Sequence, residues 1–563
     1  MARLDVALLH APAIYDFRES MIEFGPVSDL VPASAIFEIF PLGLSTIGEY
    51  LERNGYFVRT INLAYRMLRS PRFSVPDTIR ALNPTIFGID LHWMVHCHGS
   101  IEVARIAKQE HPDTPVIFGG LSSTFFHEDL IGYECVDFIL RGDSTEEPFR
   151  QLVEILTREG KTYRGELLAD VPNLSWKDAT GTHRHNELTH VPTDFNTPAL
   201  DFAYNMKSVI RYRDLLGQVP FKDFIRYPMT ASIICRGCTY NCVTCGGSAT
   251  TFRKHFGRQR AAFRDPELAA RDLGFQHRYL PGPIFLLNDF MQPGMDYAQT
   301  FIEALGRENI DAPIGFELFD PPPPEIYELL QQHLDDWSIE ISAESHDDAI
   351  RRRFGKGHFT TAQLEESIRL AFEHGATRFD LFFLMGIPDQ DRTSALETVE
   401  YCADLYERFD NDKRLLTFTS PMVPFLDPGS IIYDNPEEYG YSLRATTVEE
   451  HRELLKSAHW RDVMNYDSHL FPRDELVDAT HEALKRMNEI KLAAGVTTPE
   501  EIASNTEMEW GMEWKPSIIL NCVGIGVTQE AKNLLNGRTT PAVSDMHRAW
   551  RESTTPAKEE EAS

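Results

Sequence analysis

The chain has 563 residues, 42% hydrophobic and 25% charged, which is too long for one compact core and ordinary for a globular protein of two or three domains. Its 85 acidic against 55 basic residues give a formal net charge of −30, a surface that repels phosphate backbones and excludes nucleic acid as the expected partner. The sequence has no apolar run of about eighteen residues, so no membrane partner is expected, and the segment MARLDVALLHAPAIYD lacks the pattern of a signal peptide. A cytoplasmic location and a small-molecule substrate are the expectations.

In chain order, residues 1–165 alternate short apolar runs with helical stretches. The strands are predicted at Val6–His10, Phe57–Asn62, Ile86–Ile89, Val116–Gly119 and Phe138–Leu140, with helices such as Gly43–Arg53 and Ser100–Glu110 between them. This α/β rhythm predicts a Rossmann-like parallel sheet that binds ligands beyond its carboxyl edge. Residues 166–225 break the rhythm; DVPNLSWKDATGTHRHNE reads as polar hairpin and loop within a linker.

A second series occupies 226–430, with strands at Ala231–Cys235, Ile284–Leu287, Ile314–Leu318, Ser338–Ser342, Arg378–Leu384 and Leu416–Pro421. Helices such as Asp265–Gly274, Asp296–Glu308, Thr361–His374 and Ser394–Arg408 separate them, predicting a partial (β/α)6 barrel with its site at the strand ends. Residues 431–549 read as mostly helical, including Val448–Ser457 and Arg473–Ala494, and 550–563 as a frayed charged tail.

The eight cysteines are Cys97, Cys135, Cys235, Cys238, Cys242, Cys245, Cys402 and Cys522, and four of them crowd into one short segment. Clustered thiolates are soft ligands that suit an iron–sulfur cluster. Two Cys-x-x-Cys pairs also read as four zinc ligands, although zinc ribbons usually separate their pairs by a longer loop. A ferredoxin-like electron carrier has a similar run.

The segment Cys238-Thr-Tyr-Asn-Cys242-Val-Thr-Cys245, flanked by Arg-Gly-Cys and Cys-Gly-Gly, resembles the signature of the radical S-adenosylmethionine (SAM) superfamily. The resemblance implies a 4Fe-4S cluster on Cys238, Cys242 and Cys245, with SAM on the open iron and Cys235 left as a core thiol. The aromatic residue usual before the last cysteine is Thr244 here.

Further segments resemble the same family: Leu287-Asn288-Asp289-Phe290, Glu317 with Asp320, Ile341-Ser342-Ala343-Glu344-Ser345 and Phe383-Leu384-Met385-Gly386-Ile387-Pro388. They imply SAM contacts from Thr244, Asn288, Asp289, Glu317, Ser342, Glu344, Leu384 and Met385. By residue type alone, a carboxylate at a strand end also reads as a helix cap or a solvated loop residue.

The first domain resembles the cobalamin-binding domain fused to many radical SAM enzymes, through Phe40-Pro41-Leu42-Gly43-Leu44, Gly55-Tyr56-Phe57-Val58, Val116-Ile117-Phe118-Gly119-Gly120 and Val136–Asp143. The implied cobalamin contacts are Leu42, Gly43, Leu91, His92, Trp93, Gly119, Gly120 and Ser122, with Arg141, Gly142, Asp143 and Glu146 closing the pocket. Asp90-Leu91-His92 does not complete an Asp-x-His-x-x-Gly motif, because Val95 stands at the glycine and the triplet follows the third strand. Methylcobalamin is therefore expected base-off, without that histidine on cobalt; His92, Trp93, His96 and His98 are expected to line the pocket or face solvent, with approach of any one of them to cobalt from below left open.

Together these features resemble the class B radical SAM methyltransferases. The resemblance implies C-methylation of a small natural-product or cofactor precursor, heteroaromatic ones among them, with one-electron supply from a flavodoxin- or ferredoxin-type reductant. Rearrangement or cyclisation without net methylation is the alternative on the same architecture. Methylthiolation of tRNA is disfavoured by the charge and by a first domain holding only Cys97 and Cys135; a non-enzymatic sensor or electron carrier is the reading from a different class. PMVPFLDPGS resembles the family's PxPGT-like turn. The region after Pro428, with Trp460, Tyr466, Trp510, Trp514 and Cys522, is expected to carry substrate contacts, and no general acid or base stands out.

Overall fold

Val6–His10 is an apolar run with every residue buried, and the N-terminal sheet is built around it. The computed structural model describes residues 3–19, 26–28, 31–32, 41–159, 165–198, 202–220, 224, 228–422, 425–499 and 502. In the first sheet the strands are β1 (Val6–His10), β2 (Val58–Asn62), β3 (Ile86–Asp90), β4 (Val116–Gly119), β5 (Phe138–Leu140), β6 (Leu174–Lys177) and β7 (His183–His185). Their order is β2-β1-β3-β4-β5-β6-β7. The first five are parallel and largely buried, as expected of strands covered on both faces.

β6 and β7 correct the expected linker. They add to the sheet antiparallel, with Leu140 opposite Leu174 and Ser175 opposite His185. β7 is exposed along its whole length, so it carries none of the apolar patterning that marks a strand.

The second sheet is all parallel and runs in chain order: β8 (Thr230–Ser232), β9 (Ile284–Leu286), β10 (Ile314–Leu318), β11 (Trp337–Glu344), β12 (Arg378–Met385) and β13 (Leu415–Pro421). Helices follow their sequence signals. Asp265 caps helix Pro266–Tyr279 through the N–H groups of Glu267 and Leu268, and Thr360 with Gln363 forms a capping box on helix Thr361–Glu373. β8 and β13 do not pair, so the barrel stays open; helix Arg473–Ala493 packs along β13 and helix Arg392–Arg408.

In the described part of the C-terminal region, Tyr441–Leu443 and Tyr466–Ser468 add a small antiparallel ladder to the expected helices. Phe40, Val423, Pro424, Trp510, Trp514, Cys522 and the tail lie outside the described residues. Among the described residues no helix is long and apolar enough to cross a membrane.

The two sheets share a core. Leu9, Leu91, Met94 and Val95 of the first belong to one buried cluster with Met229, Ala231, Phe285, Leu287 and Phe425 of the second. The carboxyl ends of both sheets are thereby brought against one another.

Candidate functional site

After β8 the chain runs through Cys235–Arg236, which pairs with Ala262–Phe263, into the loop bearing the three cysteines. Asn288, beyond β9, accepts the N–H groups of Ile234 (2.9 Å) and Cys235 (3.3 Å). Gln292 accepts from the Thr239 N–H (2.9 Å) and from the Cys238 thiol (3.6 Å). The far side of the loop is pinned where Val243 N–H donates to Phe354 (2.9 Å) and Ile432 N–H to Val243 (3.0 Å).

Backbone N–H groups face two of the sulfurs, from Tyr240 to Cys238 Sγ (3.4 Å) and from Gly247 to Cys245 Sγ (3.2 Å). Such donors stabilise thiolate and so fit a cluster ligand. Burial raises the Cys238 thiol and pushes Cys242 up to about 12, while Lys356 opposes both shifts. Cys235 is 4% exposed and donates its S–H to the Gly237 carbonyl (3.4 Å).

The fourth strand of the barrel ends in a register shift between Ser342 and Glu344, and Glu344 adopts φ +67°. This turn presents Glu344 to Lys356: Oε1 lies 2.9 Å from Nζ, with the side chains 7% and 6% exposed. Lys356 also donates to the Ser342 carbonyl (2.8 Å) and lies over the Phe319 ring. Burial alone would lower its pKa, but the Glu344 carboxylate together with Cys242 and Glu317 raises it on balance and keeps the ammonium charged.

Asp289, 1% exposed, accepts the N–H groups of Met291 (2.7 Å) and Phe319 (2.9 Å), and burial nevertheless pushes its carboxyl up to about 7. Tyr240 donates to Asp320 (2.6 Å). Glu317 stands opposite Glu340 in the β10–β11 register, and Thr244 is half-buried within the cysteine loop. The Leu384 and Met385 carbonyls accept from Gln390 (3.1 Å) and the Met422 N–H (2.8 Å). Asn288, Asp289, Ser342, Glu344 and the cysteine loop are thus gathered at the carboxyl end of the second sheet.

At the carboxyl end of the first sheet, Leu91 N–H donates to Gly119 (2.8 Å) and Ser123 N–H to Leu91 (3.1 Å). Gly120, at φ +116°, lies so close to this loop that a Cβ would stand 2.6 Å from the His92 backbone. A Cβ at Gly119 or Gly43 would meet nothing within 4 Å, and this open space fits a flat ligand. Leu42 opens helix Leu42–Arg53, and Ser122 is buried in the first turn of helix Leu121–Phe125.

His92 Nδ1 lies 2.8 Å from Asp90 and His10 Nδ1 lies 3.1 Å from it. Burial would raise the Asp90 carboxyl, but these histidines hold it well below the usual range. His92 Nε2 and His96 Nε2 are buried without a hydrogen-bond partner, a second observation that suits a ligand here. Burial pushes His96 well below its ordinary pKa, so its ring is neutral.

The expected pocket-closing residues have protein partners. Arg141 binds the β6–β7 hairpin through the Asn173 carbonyl (3.0 Å, from its N–H) and the Asn186 carbonyl, and Gly142 N–H donates to Thr124 (2.9 Å). Asp143 makes a two-pronged pair with Arg258 of the barrel, one prong at 2.9 Å, and Glu146 pairs with Arg236 at 3.0 Å. These bonds fasten the two sheets together. Trp93 reaches across the same boundary: its Nε1–H donates to Asp427 Oδ1 (2.9 Å).

Lys356, Gln292, Arg258 and Asp427 did not emerge from the sequence. Gln292 and Arg258 lie outside any recognisable motif, Lys356 is set between Gly355 and Gly357, and Asp427 stands inside the PMVPFLDPGS turn, which gives no sign of its partners.

The model of the B12 binding domain matches residues 29–153 and that of the radical SAM superfamily matches residues 232–402. The chain thus joins a B12 binding domain to a domain of the radical SAM superfamily. The cofactors these two domains call for are a 4Fe-4S cluster, SAM and cobalamin.

The hopanoid C-3 methylase of Methylococcus capsulatus is 26% identical over 290 residues, 50% of this chain and 48% of that one, so the match spans about half of that relative's length. An uncharacterized methyltransferase of Pyrococcus horikoshii is 25% identical over 390 residues, covering 68% of this chain and 76% of that one. In fold, the radical SAM methyltransferase TsrM of Kitasatospora setae, solved with cobalamin and a 4Fe-4S cluster bound, aligns over 98% of this chain and 100% of its own with a TM-score of 0.59 at 14% identity. The same enzyme solved with tryptophan substrate and a SAM analogue gives 0.58 at 13% identity, over 89% and 90% of the two chains.

Proposed function

We propose that this radical SAM enzyme C-methylates a small organic molecule, a natural-product or cofactor precursor with heteroaromatic acceptors among the candidates. The observation that carries the reading is the meeting of the two strand-end loops, joined where Trp93 of the first sheet and Gly246 of the cysteine loop bind one carboxylate, Asp427. When bound, the cluster and SAM supply hydrogen-atom abstraction and cobalamin supplies a methyl group.

The chain's own residues bind, orient and exclude water. Cys238, Cys242 and Cys245 hold the cluster. Glu344, kept in place by Lys356, offers a carboxylate to the SAM amino group, and Ser342 stands beside it. Asn288 and Asp289 act mainly by fixing backbone, since they accept the N–H groups of Ile234, Cys235, Met291 and Phe319. Thr244, Glu317, Leu384 and Met385 complete the SAM side. Leu42, Gly43, Leu91, His92, Trp93, Gly119, Gly120 and Ser122 form the cobalamin side; Asp143 holds that side against the barrel through Arg258, while Arg141 and Gly142 brace it from within the first domain.

The net charge of −30 supports a small acceptor over a nucleic acid. The clustered cysteines support a reducing, cytoplasmic setting, in which a flavodoxin- or ferredoxin-type carrier delivers single electrons. The test is incubation of the reconstituted, reduced enzyme with methyl-deuterated SAM and a panel of aromatic and heteroaromatic acceptors, tryptophan included. A product heavier by one labelled methyl group supports the reading; SAM cleavage with an isomerised or cyclised product, and no label, contradicts it.

A further inference from the structure

Asp427 sits in the turn that follows the last barrel strand, and that turn is held firmly. Leu426 beside it exchanges two hydrogen bonds with the Asn465 amide, N–H to Oδ1 at 2.8 Å and carbonyl to Nδ2 at 3.0 Å. Ser430 N–H closes the turn on the Asp427 carbonyl (3.0 Å). The carboxylate is then divided between two domains. Oδ1 accepts from Trp93 Nε1–H (2.9 Å), in the loop that follows Asp90, and Oδ2 accepts from Gly246 N–H (3.0 Å), directly after Cys245.

Two further details make this more than an incidental loop contact. No Lys, Arg or His pairs with Asp427 among the described residues, so its partners are two neutral N–H donors and its charge is not cancelled locally. The approach to Gly246 is also closer than a side chain permits: a Cβ there would stand 2.9 Å from Asp427 Cβ. A carboxylate this near the backbone of Cys245 acts on that sulfur through space.

We infer that Asp427 is a positioning residue, which sets the spacing between the cobalamin loop at Trp93 and the cluster loop at Gly246 and places a fixed negative charge beside Cys245. The inference rests on the reading that Cys245 holds a cluster iron and that the Trp93 loop lies against cobalamin. A negative charge next to the cluster favours its oxidised state, so the carboxylate lowers the cluster's midpoint potential. Trp93 moderates this effect by donating to the same carboxylate.

The two partners therefore make predictions of opposite sign. Asp427→Asn removes the charge and moves the midpoint potential of the reconstituted holoenzyme positive. Trp93→Phe leaves the carboxylate less neutralised and moves the potential negative. Both variants lose a charge-assisted hydrogen bond across the domain boundary, and each binds cobalamin about tenfold more weakly.

The experiment is an anaerobic redox titration of the full chain followed by electron paramagnetic resonance, with cobalamin binding measured on the same preparations. Opposite shifts with weakened cobalamin support the inference. Shifts of the same sign, or no shift in variants that carry a full cluster, overturn it. If Asp427→Asn does not retain its cluster, Trp93→Phe decides alone: a negative shift supports the inference and a zero or positive shift overturns it. A wild-type chain that takes up no cluster contradicts the cofactor reading itself, an outcome distinct from either.

Discussion

Glu344 and Lys356 form an ion pair of 2.9 Å at the end of the fourth barrel strand, with both side chains almost wholly out of water. The pair sits beside the cysteine loop, and Lys356 opposes the upward shift of the Cys242 thiol. Removing one member leaves a buried charge uncompensated, which typically costs about 3–5 kcal/mol, whereas replacing both by apolar groups costs less. Lys356→Met is expected to destabilise the chain by that amount in denaturant unfolding and to weaken SAM binding. The double variant Glu344→Leu with Lys356→Met is expected to regain part of the stability but none of the SAM affinity. Equal stability of wild type and Lys356→Met would show that the pair does not hold this strand end.

The domain boundary rests on another buried pair. Arg258 and Asp143 are 2% and 5% exposed and meet in a two-pronged geometry. Arg258→Met is expected to cost about 3–5 kcal/mol. Because the lost bonds cross between the sheets, unfolding followed by tryptophan fluorescence and by circular dichroism should cease to coincide. A single coincident transition at the wild-type midpoint would contradict this role.

Acid sensitivity is expected from His451. Its Nδ1 lies 2.8 Å from the Thr447 carbonyl and its Nε2 3.2 Å from the Asn465 amide, an arrangement that suits a neutral ring. Burial pushes its pKa down from 6.5 to about 4. A base with a depressed folded pKa contributes stability that is complete above its unfolded pKa and is lost as pH falls from 6.5 toward 4. The loss is of order 3 kcal/mol across that window. His451→Gln should flatten this part of the stability–pH curve, read by chemical unfolding at a series of pH values; an unchanged slope would assign the acid sensitivity elsewhere. Protonation would also oppose the Asn465 amide that clamps Leu426, so acid should loosen the turn carrying Asp427.

Much of this architecture is legible in the sequence because its central strands are short apolar runs buried on both faces. Val6–His10, Val116–Gly119, Phe138–Leu140 and Ile314–Leu318 coincide with their predicted limits. The β6–β7 hairpin is legible as a polar hairpin, but its addition to the first sheet is not, because an exposed edge strand such as His183–His185 carries no apolar pattern. The cysteine triplet is visible because its ligands are close in sequence. The roles of Asp427 and Lys356 are not: Asp427 meets Trp93 and Gly246 only where loops of separate strands come together, and Lys356 meets Glu344 across the short helix that follows the strand. Arg141 and Asp143 stand where cofactor contacts were expected, yet their bonds serve the hairpin and the barrel, a distinction that sequence position alone cannot make.

The measurement that bears most directly on the central claim is cofactor quantitation after anaerobic reconstitution with iron, sulfide and hydroxocobalamin. Wild type, Cys235→Ala and the triple variant Cys238→Ala, Cys242→Ala, Cys245→Ala would be compared after desalting. The account predicts one 4Fe-4S cluster and one cobalamin per chain in the first two. It predicts cobalamin without a cluster, and no SAM cleavage, in the third. A full cluster in the triple variant, or its loss in Cys235→Ala, would contradict the account.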